Sequence, residues 1–166
     1  MQTKGSLVGD LVKGGIAGVA GTWVMGQVTG YMWEHEDPAA RQRYEEVTGG
    51  KYVPDRTAEK IGQILGLNLS EEQHSMLAQA SHWGLGAGVS AAYALLRRRY
   101  ATADAAQGLL FGLLFWAIVD EGMTPLFGLA EMPQVYPWQA HARGFVGHLV
   151  FGVVAETVLD VFDQAS

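Results

Sequence analysis

The chain has 166 residues, 49% apolar and only 17% charged, with no cysteine and a net charge of −6 at pH 7. That length suits one domain, the acidic balance argues against a nucleic-acid partner, and the missing thiols exclude disulfides, cysteine-type zinc sites and thiol catalysis. Glycine is the outlier at 22 residues; soluble helices avoid it, whereas membrane helices use it to bring backbones together. The mean hydropathy of +0.09 is low for a membrane protein. It fits one only if a sizeable polar portion dilutes the membrane part.

Residues 1–13 read as a short polar start carrying Lys4 and Lys13 rather than a cleavable leader. Residues 14–33 are the first predicted membrane helix. No charge falls between Gly14 and Met32, a stretch of roughly 28 Å at the helical rise, and Trp33 sits at the expected interface. Gly14 and Gly18, then Gly26 and Gly30, have the small-xxx-small spacing of packed membrane helices.

Residues 34–75 form a polar cap. Glu34 to Pro38 ends the first helix. Pro54 to Thr57 starts a short amphipathic helix with Ile61, Ile64 and Leu65 on one face, and Gly66 ends it. Ser70 to Gln73 is a capping box that opens a new helix. The second predicted membrane helix, 76–96, repeats the glycine spacing at Gly84 and Gly88 and closes on Arg97 to Arg99, with a tight turn at 101–104. The third, 105–129, carries Gly108, Gly112 and then the adjacent acids Asp120 and Glu121, with Pro125 loosening its last turn. A loop over 130–143 leads to the fourth, 144–162. There Gly144, His148, Gly152, Glu156 and Asp160 recur every four residues and so share one small or polar face. The expected fold is all-α: an integral membrane four-helix bundle with a short helical polar cap between helices 1 and 2. Lys4, Lys13 and Arg97 to Arg99 are concentrated on the side of the termini, which puts both termini in the cytoplasm.

That topology brings polar residues from four helices to a similar depth in the outer half: Gln27, His82, Asp120 with Glu121, and His148, with Glu156 deeper. Acids inside apolar runs are costly and usually mark a polar interior or a site. Four readings follow. The group handles protons or ions, histidine titrating near neutral pH. It holds a divalent metal through His82, Asp120 and His148. Its histidines ligate haem. Or it is a hydrogen-bonded core that only fixes helix register. His35, His74 and His141 are expected to be exposed at loops or helix ends. No Ser-His-Asp order, phosphate loop, dinucleotide fingerprint or His-Glu-x-x-His motif occurs, so an enzyme is not expected.

Ile16-Ala17-Gly18-Val19, Ser81-His82 with Gly88 to Leu96, Gln107 through Thr124-Pro125-Leu126-Phe127-Gly128, and Gly147-His148-Leu149-Val150 with Glu156 resemble the YagU-like group of small bacterial inner-membrane proteins. The resemblance covers the membrane part and not the cap. It implies an inner-membrane location and a link to acid tolerance. In that group a histidine often stands where Asp120 stands here, so what transfers to that position is a polar group able to ligate. The expectation is therefore a lipid-embedded, non-enzymatic protein with a buried histidine–acid group. The alternative is a structural or accessory subunit whose cap binds a partner. The glycine faces predict self-association in either case.

Overall fold

The structure is a computed structural model that describes residues 6–100 and 106–165, and all regular structure among them is helical. Helix α1, Leu7–Glu34, is capped by Ser6, whose Oγ accepts from the Gly9 N–H at 3.0 Å. Helix α2, Pro38–Thr48, begins with proline in its first turn and Asp37 as cap, and Gly49 ends it at φ +64°. Helix α3, Val53–Leu65, opens with the Tyr52 N–H donating to Asp55 at 3.0 Å and stops at Gly66. Helix α4, Glu71–Arg99, starts on the Ser70/Gln73 capping box and ends on three arginines, which suit the negative end of its dipole.

Helix α5, Leu109–Leu126, changes winding along its length. It is α-helical over Leu109–Phe115, π-helical over Trp116–Met123, and α-helical again over Thr124–Leu126. Pro125 accounts for the wide turn. In the π register the Thr124 N–H reaches Val119 O, five residues back. The Asp120 carbonyl would then pair with residue 125, which as proline has no N–H. The Thr124 hydroxyl takes its place, donating to Asp120 O at 2.5 Å. A 3₁₀ turn over Pro133–Val135 leads to helix α6, Trp138–Gln164.

Helix α1 packs between α4 and α6, α5 lies on α6, and α3 rests on α4. Small residues set these contacts. Gly14 meets the backbone of Ser90 and Ala91, Gly18 that of Gly86 and Ala87, and Gly152 that of Gly108 and Gly112, with no room for a Cβ at any of the three. Ala17, Tyr93, Ala94, Ala155 and Leu159 form the buried core with Phe111 against it, and the Tyr93 and Phe111 rings stack at 3.9 Å.

Several expectations change. The four long helices start or stop away from the bounds predicted for them, with Ser6 and the Ser70/Gln73 box setting the starts of α1 and α4; the short amphipathic helix ends at Gly66 as expected. The fourth begins at Trp138, so His141 and Arg143 are helical and not in a loop. Helix α2 lies in a stretch whose charge pattern predicts only a polar cap. The turn expected at 101–104 falls outside the described residues. Gly26, Gly30, Gly84 and Gly88 face open space, so those two pairs do not pack within the chain; Gly86 makes the contact instead. Among the described residues, two helices are long and apolar enough to cross a membrane, Leu109–Leu126 and Trp138–Gln164. Helices α1 and α4 are longer, at 28 and 29 residues, but their glycines and polar side chains lower their hydropathy.

Candidate functional site

The π-helical turn points its two consecutive acids at two histidines on one face of α6. Asp120 Oδ2 stands 3.6 Å from His148 Nδ1, and Glu121 Oε1 stands 2.7 Å from His141 Nδ1. His141 and His148 are seven residues apart, two turns along α6. His148 is 3% exposed and lies edge-on to Phe115 at 4.8 Å. Its Nδ1 is 2.9 Å from Gly144 O. A carbonyl only accepts, so Nδ1 carries a proton and donates it to Gly144 O. Gly144 leaves space here, since a Cβ at that position would come within 3.3 Å of the Trp116 indole nitrogen and 3.8 Å of Asp120 Oδ2.

His141 is more demanding. Its Nε2 lies 3.0 Å from Pro133 O, so both ring nitrogens face acceptors, a carbonyl and a carboxylate. Both bonds form only if the ring is doubly protonated or Glu121 holds a proton. His141 is half-buried, not the exposed histidine expected from sequence.

His82 is exposed on α4 but within electrostatic range of His148. Gln27 is exposed on α1 and makes no hydrogen bond among the described residues, so it is not brought to the group. Among the described residues no three His, Asp or Glu side chains stand together as metal ligands. Among the described residues His82, Asp120 and His148 are thus not gathered as a ligand set, and His141 and His148 stand beside their carboxylates at 2.7 and 3.6 Å.

Glu156 belongs elsewhere. It lies eight residues beyond His148, roughly 12 Å along the helix, and is 3% exposed. The Tyr93 hydroxyl donates to its Oε2, and Arg97 Nη2 reaches its Oε1 at 2.9 Å. Arg97 also pairs with Asp160 at 2.5 Å and Asp163 at 3.3 Å, while Lys13 holds Asp163 at 3.2 Å and Arg98 holds Asp10 at 2.5 Å. Tyr93 and Arg97 were missed in the sequence. The available signal was the acidic stripe 156, 160, 163 at helical spacing, at the end of the bundle where the arginine run stops.

A third polar group joins the cap to α6. The Arg143 guanidinium lies 4.7 Å over the Trp33 ring and 5.0 Å over Tyr44, and it pairs with buried Glu36. Burial pushes the Tyr44 hydroxyl up to about 12 against the opposing pull of the Arg143 charge. Arg56 ties the cap to the α5–α6 connection through Glu131 at 3.2 Å, and His74 reaches Asp55 O at 3.1 Å.

Fold and site define an all-helical protein with two helices fit for a bilayer and histidine–carboxylate pairs between them. The chain belongs to the family described as "Protein of unknown function (DUF1440)", which matches residues 33–157. The match covers the cap, α4, α5 and most of α6, and leaves out α1 up to its last two residues. Nothing in that description points to an enzyme. Comparison with curated proteins and with solved structures gave no match.

Proposed function

We propose that this chain is a bacterial inner-membrane protein of the YagU-like kind, with α1, α4, α5 and α6 crossing the bilayer and both termini in the cytoplasm. In it the Asp120–His148 and Glu121–His141 pairs handle protons. Four crossings are supported by the packing of α1, which lies along the apolar α6 on one side and along α4 on the other. Ion pairs link α1 and α4 to α6 at one end, and the cap to the α5–α6 connection at the other. The reading of function rests on one observation. A π-helical turn in an apolar helix presents consecutive acids to two histidines, and one of those pairs needs an extra proton to complete its hydrogen bonds. A link to acid tolerance fits such a site, since histidine–carboxylate pairs change charge as the outside acidifies.

The test is the full chain in sealed liposomes with a trapped pH dye. Proton entry after an acid jump should exceed that of empty liposomes and fall to their level in Asp120→Asn and His148→Ala. Equal rates in all samples would defeat the proposal.

A second reading has its own support. His148 makes its short hydrogen bond within its own helix, and Asp120 stands farther off. On that reading the pairs hold α5 and α6 in register and move no protons. The same variants would then lower thermal stability in detergent and leave proton entry at the empty-liposome rate throughout.

A further inference from the structure

Two adjoining depressions on the cap side share Lys60. One, of about 340 Å³, is lined by Lys51, Arg56, Glu59, Lys60 and Gln63 against Gly128. The other, of about 390 Å³, is apolar apart from Thr57 and Lys60, and runs between Ile61 and Ile64 of α3 and Leu126 and Phe127 at the end of α5. The first holds three cations and one carboxylate. Lys51 is paired with Glu59 at 2.5 Å and Arg56 with Glu131 at 3.2 Å, while Lys60 has no ion pair among the described residues. In the second, Ile64 is 74% exposed and Leu126 79%. An uncompensated cation at the mouth of an apolar groove matches an amphiphile with an anionic head.

We propose that the two depressions together bind one anionic phospholipid, with its phosphate at Lys60 and an acyl chain along Ile61, Ile64, Leu126 and Phe127. This rests on the membrane reading above. The apolar half continues the end of Leu109–Leu126, one of the two helices apolar enough to span a bilayer, so the groove opens at the level of the lipid headgroups. Helix α3 has the matching form. Its Ile61, Ile64 and Leu65 turn one way, and Arg56, Glu59, Lys60 and Gln63 line the cationic side, as in a helix lying in the interface. A protein partner would need the apolar face to stand in water, away from the bilayer edge, and the position of Leu126 argues against that.

The full chain in detergent micelles is titrated with phosphatidylglycerol or with phosphatidylcholine of the same acyl chains, and bound lipid is counted by native mass spectrometry. One phosphatidylglycerol should bind with about fivefold preference, the effect of one cation near a headgroup. The preference should disappear in Lys60→Gln, and binding of both lipids should fall in Ile64→Asp. Both positions are exposed, so neither change threatens folding. Equal binding of the two lipids by the unaltered chain, or an unchanged preference in Lys60→Gln, would overturn the proposal. So would full displacement by inorganic phosphate with no effect of Ile64→Asp, which would mark a plain anion site. Extraction of native membranes with alkaline carbonate separates the two readings. A chain that stays in the pellet but shows no lipid preference loses only this inference; a chain that washes off loses the membrane reading.

Discussion

Glu156 is the residue whose environment is most expensive to disturb. It is buried, and its charge is held by Arg97 and by the Tyr93 hydroxyl. Removing one member of a buried ion pair leaves the other uncompensated, at a cost of about 3–5 kcal/mol. Arg97→Ala should therefore lower the unfolding free energy in detergent by about that much, and the double change Arg97→Met with Glu156→Gln should recover most of it. A loss under 1 kcal/mol in the single variant, the range of exposed pairs, would show that water already reaches the pair. Tyr44 gives a pH test in the cap. Its folded hydroxyl titrates near 12, above the unfolded value of 10.0. A raised folded pKa means stability fully present below the unfolded value and lost as pH rises through the folded one. Cap stability should fall between about pH 10 and 12, read by tyrosinate absorbance together with circular dichroism, and Tyr44→Phe should remove that component. Of the residues in these two networks, the sequence exposed Glu156 through its place in an apolar helix. It left Tyr93, Arg97 and Arg143 unseen as partners, because their roles depend on which helix lies opposite.

At the scale of elements, the π-helical turn and the glycine contacts make separate predictions. Thr124 supplies the donor that Pro125 withholds from the Asp120 carbonyl. Thr124→Val keeps the shape and removes that donor. The loss should be about 1–3 kcal/mol, the cost of an unmet buried acceptor, and a fall in proton entry should accompany it as Asp120 shifts from His148. Thermal unfolding in detergent measures the first and the liposome dye the second. Among the glycines, Gly18→Val should disrupt the α1–α4 contact, where a Cβ would strike the Gly86 carbonyl. Gly84→Ala, which faces open space, should be neutral or stabilise by up to about 1 kcal/mol. Comparable losses in both would contradict the packing described. Sequence spacing found the glycine rows but not which row faces inward. Gly14 and Gly18 make the contacts their spacing predicts, yet Gly84 and Gly88 share the same spacing and point away. A repeat every four residues fixes a face, and only the neighbouring helix fixes which face is used. The π turn was likewise invisible to periodicity, which assumes one winding throughout; Pro125 was its sole trace.

For the whole molecule, the proposed topology has four helices crossing the bilayer with the histidine–carboxylate pairs inside it. Apolarity alone supports two crossings, Leu109–Leu126 and Trp138–Gln164. The long helices were legible because charge is sparse along them, and the cap was legible as polar because charge gathers there. The joining of cap to bundle was not, since Arg143 on Trp33 and Tyr44 and Arg56 on Glu131 are contacts between residues far apart in sequence. The two topologies differ in one respect that can be measured. With four crossings, the cap lies across the membrane from both termini. With two, it lies on the same side as the C-terminal end. The chain has no cysteine, so single-cysteine variants carry no background. Ser6→Cys, Asn68→Cys and Gln164→Cys, probed in intact cells with a membrane-impermeant maleimide, give the most direct test. Four crossings require labelling of Asn68→Cys in intact cells, and of Ser6→Cys and Gln164→Cys only after permeabilisation. Asn68→Cys and Gln164→Cys labelled from the same side would contradict it.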